Sequence, residues 1–346
     1  MSLNPEITKA LLQWYDYNAR ILPWRGNPTP YRVWISEIML QQTRVEAVKP
    51  YYDRFMKVLP DIKSLAFVED DLLMKLWEGL GYYNRARNLK IAANQIMDEF
   101  GGQMPADYQA LLSLKGIGEY TAGAIGSIAF GLPVAAVDGN VLRVITRITG
   151  DESDILKQAT KRAITKDILE ILPKERSGDF NQALMELGAT VCIPNGQPKC
   201  EQCPWDTICR AYKENLIDKI PVKTPKKKRK IEHKTVFLLE YQDKIAVRKR
   251  AAKGLLAGLW EFPNKEGIFS IEDMEALMDK WQVETYRPQT TKKAKHIFSH
   301  IEWHMTGFYI ECQQKPNVED FVWISREELE QSYAIPSAFE AFKAAL

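Results

Sequence analysis

The sequence predicts a multidomain chain: an all-α domain that ends in a cysteine loop, followed by a smaller α+β domain. Three observations predict this. Apolar residues recur at helical spacing through about the first 215 residues, with little strand-like alternation. Four of the five cysteines, Cys192, Cys200, Cys203 and Cys209, fall within eighteen residues. A Pro- and Lys-rich stretch over 217–233 then gives way to β-branched and aromatic runs of strand length. At 346 residues the chain suits two ordinary domains. The expected boundaries are 1–216, a basic linker 217–233, and 234–346.

In the first domain, helical spacing marks Ile7–Tyr17, Val33–Phe55, Leu72–Phe100, Tyr108–Phe130, Val141–Thr149 and Phe180–Cys192. Pro60 punctuates between two of these segments, and Gly79-Leu80-Gly81 breaks the third into two helices. In the second domain Thr235–Tyr241, Lys244–Arg248, His300–Glu311 and Asp320–Ile324 read as strands. Ser270–Trp281 and Ser325–Tyr333 read as helices. There is no internal repeat.

Composition excludes little beyond the membrane. The chain is 45% hydrophobic and 27% charged, as in ordinary globular proteins. No apolar run approaches the ~18–20 residues of a membrane helix. The net charge of +2 is neutral on nucleic acid, but basic runs stand at Lys223–Lys230 and Lys292–Lys295. A solvated linker and a DNA contact both account for them. PKKKRK has the look of a nuclear localisation signal, discounted because it sits at a domain boundary. The N-terminal MSLNPEITKALLQ lacks the regions of a signal peptide, so a reducing, cytoplasmic setting is expected (nucleoid-associated, if bacterial).

The cysteine loop, CIPNGQPKCEQCPWDTIC, has too little apolar content to fold alone. A reducing compartment argues against disulfides. A structural zinc and a [4Fe–4S] cluster both accept four thiolates. Zinc sites commonly pair two Cys-x-x-Cys knuckles, and only Cys200 and Cys203 make one here. Spacing alone favours the cluster modestly over zinc.

Two further motifs carry chemistry. Leu114-Lys115-Gly116-Ile117-Gly118 lies between helical segments; its glycines, Gly116 and Gly118, allow a tight turn whose N–H groups, with the next helix start, suit a phosphate. An ordinary helix–turn–helix connection reads the same way. Then comes Val137-Asp138-Gly139-Asn140-Val141, where Asp138 reads first as a helix N-cap.

Taken together, the helix–hairpin–helix, VDGNV and the cysteine loop resemble the helix–hairpin–helix DNA glycosylase superfamily. The cysteine loop selects the endonuclease III and adenine glycosylase branch, for which the resemblance implies one [4Fe–4S] cluster on Cys192, Cys200, Cys203 and Cys209. The position after Glu119 is Tyr120, where bifunctional members carry a nucleophilic Lys; no lyase step is expected. WISEIMLQQT, over 34–43, closely resembles the adenine DNA glycosylase (MutY) signature. The resemblance makes Glu37 the proton-handling acid and Asp138 the stabiliser or trap of an oxocarbenium-like sugar. Tyr120 and Asn140 would orient Asp138. Arg20, Trp24, Arg25 and Leu40 match the adenine pocket, and Gln182 the reader of the base edge. Gln42 and Tyr82 match residues that wedge into the duplex, as base flipping requires. Two departures stand out: Lys115 replaces the usual hairpin Pro, and seven residues rather than six separate Cys192 from Cys200.

In the second domain KGLLAGLWEFP, over 253–263, resembles the stretch before the catalytic box of Nudix hydrolases. The box itself is missing: residues 264–282 hold no Arg-Glu-x-x-Glu-Glu array. A Nudix-like fold without hydrolase activity is expected, reading the strand opposite the target. Phe298-Ser299-His300 matches the family's lesion-recognition loop, with Phe298 as intercalator or packer and Ser299 as hydrogen-bonding group. Lys292, Lys293 and Lys295 could hold backbone phosphates. The resemblance therefore implies a monomeric, monofunctional adenine DNA glycosylase acting on duplex DNA at A:8-oxoguanine or A:G mispairs. Two alternatives are an endonuclease III-like pyrimidine glycosylase with lyase activity and a non-catalytic DNA-binding redox sensor. Tyr120 and the extra domain oppose the first; Glu37 with Asp138 opposes the second.

Overall fold

The computed structural model describes residues 6–225, 228–283 and 286–346. Met1–Pro5 of the N-terminal segment and Lys226 and Lys227 of the basic run lie outside the described residues. The chain divides into two compact units. The first runs to Phe67 and resumes over Arg87–Pro225; the second comprises Val68–Ala86 and Lys226–Leu346.

Twelve helices follow in order: α1 (Glu6–Asn18), α2 (Pro30–Leu40), α3 (Val45–Val58), α4 (Ile62–Ala66), α5 (Asp70–Leu76), α6 (Asn84–Phe100), α7 (Tyr108–Ser113), α8 (Glu119–Phe130), α9 (Gly139–Thr149), α10 (Gln158–Ile171), α11 (Ser177–Thr190) and α12 (Arg210–Lys213). Local chemistry sets their ends. Thr29 caps α2 by accepting from the Arg32 N–H, with Pro30 at the first helical position. Gly131 and Gly150 close α8 and α9 in the left-handed conformation, each at φ 66°. The core of the first unit gathers Leu11, Ile145, Phe180 and Leu184 around fully buried apolar faces, and Trp205 from the cysteine loop joins them. The Trp205 indole donates to the Ile7 carbonyl at 3.0 Å. That buried anchor supplies what the loop's own composition lacks.

The expected helices are present but more finely divided. Residues 41–44 separate α2 from α3, and 77–83 separate α5 from α6, as the Gly79-Leu80-Gly81 signal required. α10 was not anticipated; four lysines and acids around Ile164, Ile168 and Ile171 hide its buried stripe.

The second unit is a mixed seven-stranded sheet with flanking helices. Its strands are β1 (Lys230–Tyr241), β2 (Lys244–Lys249), β3 (Trp260–Glu261), β4 (Asn264–Glu266), β5 (Tyr286–Ile297), β6 (Ile301–Cys312) and β7 (Val322–Ser325). Its helices are α5, from the earlier segment, with α13 (Ile271–Lys280), α14 (Arg326–Gln331) and α15 (Glu340–Lys343). The order is β3-β2-β1-β6-β5, with β4 on β1 and β7 on β2; only β1–β6 is parallel. Val236 and Leu238 face a core with Phe262, Trp303 and Phe339, while Phe237 and Leu239 face another with Met278 and Trp281. β1 begins at Lys230, inside the expected linker. β5 went unread because its charge masks it, and it lies at the sheet's edge, where lysines guard against further pairing.

The segment around α5 is tied into this unit. Lys75 donates to the Leu329 and Tyr333 carbonyls, each at 3.2 Å. Glu78 accepts from the Ile335 N–H at 2.9 Å, and Asp71 pairs with Lys249 at 2.8 Å.

Candidate active site

One cavity of about 960 Å³ in the first unit gathers ten of the residues singled out from the sequence. Arg20, Trp24, Arg25, Glu37, Leu40, Gln42, Tyr120, Asp138, Asn140 and Gln182 all line it.

Glu37 sits on the otherwise apolar α2 and is 6% exposed. Burial pushes its carboxyl up to about 7; the Tyr120 hydroxyl that donates to it opposes the rise, and the charge of Asp138 adds to it. Tyr120 is itself raised well above its usual range by burial and by the two carboxylates, so it stays a donor. Its hydroxyl also lies 3.2 Å from Met185 Sδ, so Tyr120 orients Glu37 and not, as expected, Asp138, which is held by Asn140 and the Val141 N–H.

Asp138 is indeed the N-cap of α9, and it is more than that. Its Oδ1 accepts from the Asn140 and Val141 N–H groups, each at 2.8 Å, and Oδ2 accepts from Asn140 Nδ2 at 2.7 Å. Burial raises its carboxyl, and these three donors act against the rise. With donors on both oxygens, these bonds favour the ionised form against the effect of burial. The chain of bonds continues. Arg143 Nη2 donates to Asn140 Oδ1 at 2.9 Å and to the Gly188 carbonyl at 2.7 Å, while its Nε donates to the Cys192 carbonyl at 2.8 Å. Asp138 is thus linked to the first cysteine through two side chains.

Two further residues belong to the site and were missed in the sequence. Glu186, with a side chain 0% exposed, accepts from Arg20 Nε at 2.5 Å, Arg20 Nη2 at 3.1 Å and Arg25 Nη2 at 2.9 Å. Burial pushes its carboxyl up, but the two arginines more than reverse this and hold it low. It fixes both arginines at the cavity wall. Asn181, fully buried, donates to Ser127 Oγ and the Val134 carbonyl and accepts from the Ala136 N–H, pinning the loop that delivers Asp138. Both sit beside Gln182 on α11, but their partners lie far away in sequence, so no local pattern marks them.

The remaining predicted residues, Gln42 apart, lie outside this cavity. Gly116 turns the α7–α8 hairpin at φ 78°, where a Cβ would stand 2.7 Å from Asn88 Cβ, so glycine is required twice over. Gly118 caps α8 with open space beside it. Lys115 leaves the turn intact, its N–H donating to Gln95 Oε1 at 2.8 Å. Gln42 and Tyr82 are both exposed and both hold the left-handed backbone, at φ 61° and 48°. In the second unit Ser299 and His300 are exposed at the β5–β6 turn, and Tyr82 Oη lies 3.3 Å from Ser299 Oγ. Phe298 instead packs edge-on to Trp303 at 4.9 Å and His296 at 4.6 Å, so of its two expected roles this conformation shows the packer. Lys295 pairs with Glu302 at 2.5 Å, whereas Lys292 and Lys293 are exposed.

Cys192, Cys200, Cys203 and Cys209 ring one small cavity with Arg147. Burial raises the thiol of Cys203 to about 12, and the negative charge of the other three adds to the rise. Arg147 Nη1 lies 3.4 Å from Cys192 Sγ and donates to the Ile193 carbonyl at 3.0 Å. Among the described residues no three His, Cys, Asp or Glu side chains group closely enough for a single metal ion. The donor set nevertheless fits an iron–sulfur cluster in kind: four soft sulfurs face one space, and their thiolates need a shared cationic centre. No helix among the described residues is long and apolar enough to cross a membrane.

Comparison with known proteins agrees with this architecture. The family model of HhH-GPD superfamily base excision DNA repair proteins matches residues 35–173, and that of the NUDIX domain matches 235–345. The chain is 35% identical to an adenine DNA glycosylase of Schizosaccharomyces pombe, over 98% of this chain and 89% of that one. It is 33% identical to an adenine DNA glycosylase of Homo sapiens, over 92% and 70%. Among solved structures, a thermostable thymine-DNA glycosylase superposes with a TM-score of 0.55 at 30% identity, covering 60% of this chain and 96% of that one. With both domains matched in order and the similarity running nearly end to end, the chain belongs to the adenine DNA glycosylase family.

Proposed function

We propose that this enzyme excises adenine mispaired with 8-oxoguanine or guanine in duplex DNA, by hydrolysis and without a lyase step. The observation that carries the chemistry is the pair of carboxyls lining one cavity: Glu37, pushed up to about 7, and Asp138, held by three donors. Environments this different assign different roles. Glu37 gives its proton to a ring nitrogen of adenine as the glycosidic electron pair leaves with the base. Asp138 stabilises the cationic sugar, electrostatically or as a covalent trap. Water then adds to the sugar and its proton returns to Glu37, leaving an abasic site. Trp24 and Leu40 wall the base, Gln182 reads its edge, and Tyr120 keeps Glu37 in place.

Flipping the base out of the stack falls to Gln42 and Tyr82, whose left-handed backbone projects them outward. Gly116 and Gly118 would hold a phosphate at the start of α8. Ser299 and His300 are the groups offered to the opposite base. One [4Fe–4S] cluster would be held by Cys192, Cys200, Cys203 and Cys209, its contribution being to brace the loop next to Arg143 and Arg147. The enzyme acts as a monomer in the compartment that holds the DNA.

A single-turnover assay on duplexes with adenine opposite 8-oxoguanine, guanine or thymine tests this reading. Release only from the first two, with strand breaks only after alkali, is expected. Asp138→Asn should bind duplex normally yet lose about a hundredfold or more in rate. Release from all three duplexes, or breaks without alkali, would overturn the reading.

A further inference from the structure

We propose that the second unit carries an anion site, a cleft that takes a phosphate group bearing two negative charges. The cleft measures about 410 Å³ and opens beside β1, β2 and β4. Its floor is made by Lys234, Arg248, Arg250 and Glu261. Glu261, with a side chain 2% exposed, accepts from Arg248 Nε at 2.9 Å and also from Arg250 Nη1. One carboxylate therefore serves two guanidiniums. Lys234 adds a third cation, and three cations against one carboxylate leave two positive charges on the floor. At the rim Lys249 pairs with Asp71, and Lys265 stands with Glu266 and Asp320.

Lys234 is the telling member. Its side chain is 8% exposed, on the β1 face that also carries Val236 and Leu238. Its ammonium lies 4.7 Å over the Trp303 ring. Its ion-pair partner, Glu266, is 4.0 Å away and has a side chain 90% exposed. A structural pair would bury the carboxylate with the amine, as Glu261 is buried with its arginines in this same cleft. Burial lowers the Lys234 amine below its usual range, which is the response of a cation short of a close counter-charge. An incoming dianion would supply that charge, with the ammonium and two guanidiniums as charge-assisted donors. The site is for binding alone, since residues 264–282 lack paired glutamates in the arrangement that would hold a metal for hydrolysis. This inference stands apart from the glycosidic chemistry and does not depend on it.

A phosphate dianion reaches such a cleft either on a free nucleotide or at the end of a DNA strand. The test is calorimetric titration of the full-length protein with inorganic phosphate at constant ionic strength. Saturable one-to-one binding is expected, weakened about tenfold or more in Lys234→Met. Glu266→Gln, an exposed change that leaves folding alone, should tighten it by about threefold by removing the competing carboxylate. Further titrations with deoxyguanosine monophosphate, and with an oligonucleotide with and without a 5′-phosphate, identify the source. Tighter binding of the nucleotide, or of the phosphorylated strand alone, each supports the site. No saturable phosphate binding, or affinity unchanged in both a folded Lys234→Met and Glu266→Gln, overturns it.

Discussion

Gly188 on α11 lies so close to Asn140 on α9 that a Cβ built on it would stand 2.6 Å from Asn140 Cβ. The Gly188 carbonyl also accepts from Arg143, the residue that holds the other side of Asn140. The absence of one methyl group therefore allows the Asp138 network to assemble. Gly188→Ala should cost about 1–3 kcal/mol through overpacking, and should slow base release by moving Asn140 off Asp138. Denaturant melts and single-turnover rates check both; a fully active, equally stable Gly188→Ala protein would refute the close-contact account.

Glu37 fixes the direction of the pH dependence. Its folded-state pKa of about 7 lies above that of a free Glu, so it carries its proton below that pH and loses it above. The chemical rate should hold on the acid side of 7 and fall about tenfold per pH unit beyond it. Glu37→Gln should lower the rate about a hundredfold or more and flatten that limb. A slope that survives in Glu37→Gln would assign the titration to another group.

Glu186 predicts a stability effect at the cavity wall. Glu186→Gln leaves Arg20 and Arg25 around a neutral amide, and losing charge-assisted bonds to two partly exposed arginines should cost about 1–3 kcal/mol. Urea midpoints measure the loss, and weaker binding of substrate duplex should accompany it. A variant as stable as the parent would mean that solvent supports the two arginines.

The cysteine loop can be tested without turnover. Cys203→Ser should lower iron content, soluble yield and DNA affinity together, because Cys203 is one of the four sulfurs that share the loop's cavity and it packs against the core of the first unit. A well-folded Cys203→Ser protein that retains full DNA affinity would contradict a bracing role.

What could be read from the residues alone follows a physical division. Glu37 was visible through the WISEIMLQQT motif around it, and Asp138 as a cap, because both signals are local. The cysteines were visible because thiols so closely spaced need a common partner. Glu186 and Asn181 were not, since their meaning lies in Arg20, Arg25, Val134 and Ala136, which only folding brings near. Phe298 could be read either way, and in this conformation its ring packs on Trp303. The edge strand β5 was hidden by the very lysines that suit an edge.

The grouping of Val68–Ala86 with the C-terminal half has a consequence for how the protein is made. The carbonyls that secure Lys75, those of Leu329 and Tyr333, leave the ribosome 254 and 258 residues after it. Neither unit is one uninterrupted stretch of chain, and the second cannot close around Val68–Ala86 until Leu329 and Tyr333 have been made. A single cut after Pro225 would leave the first unit whole on one fragment, together with Val68–Ala86, and would part the second unit from that segment of itself.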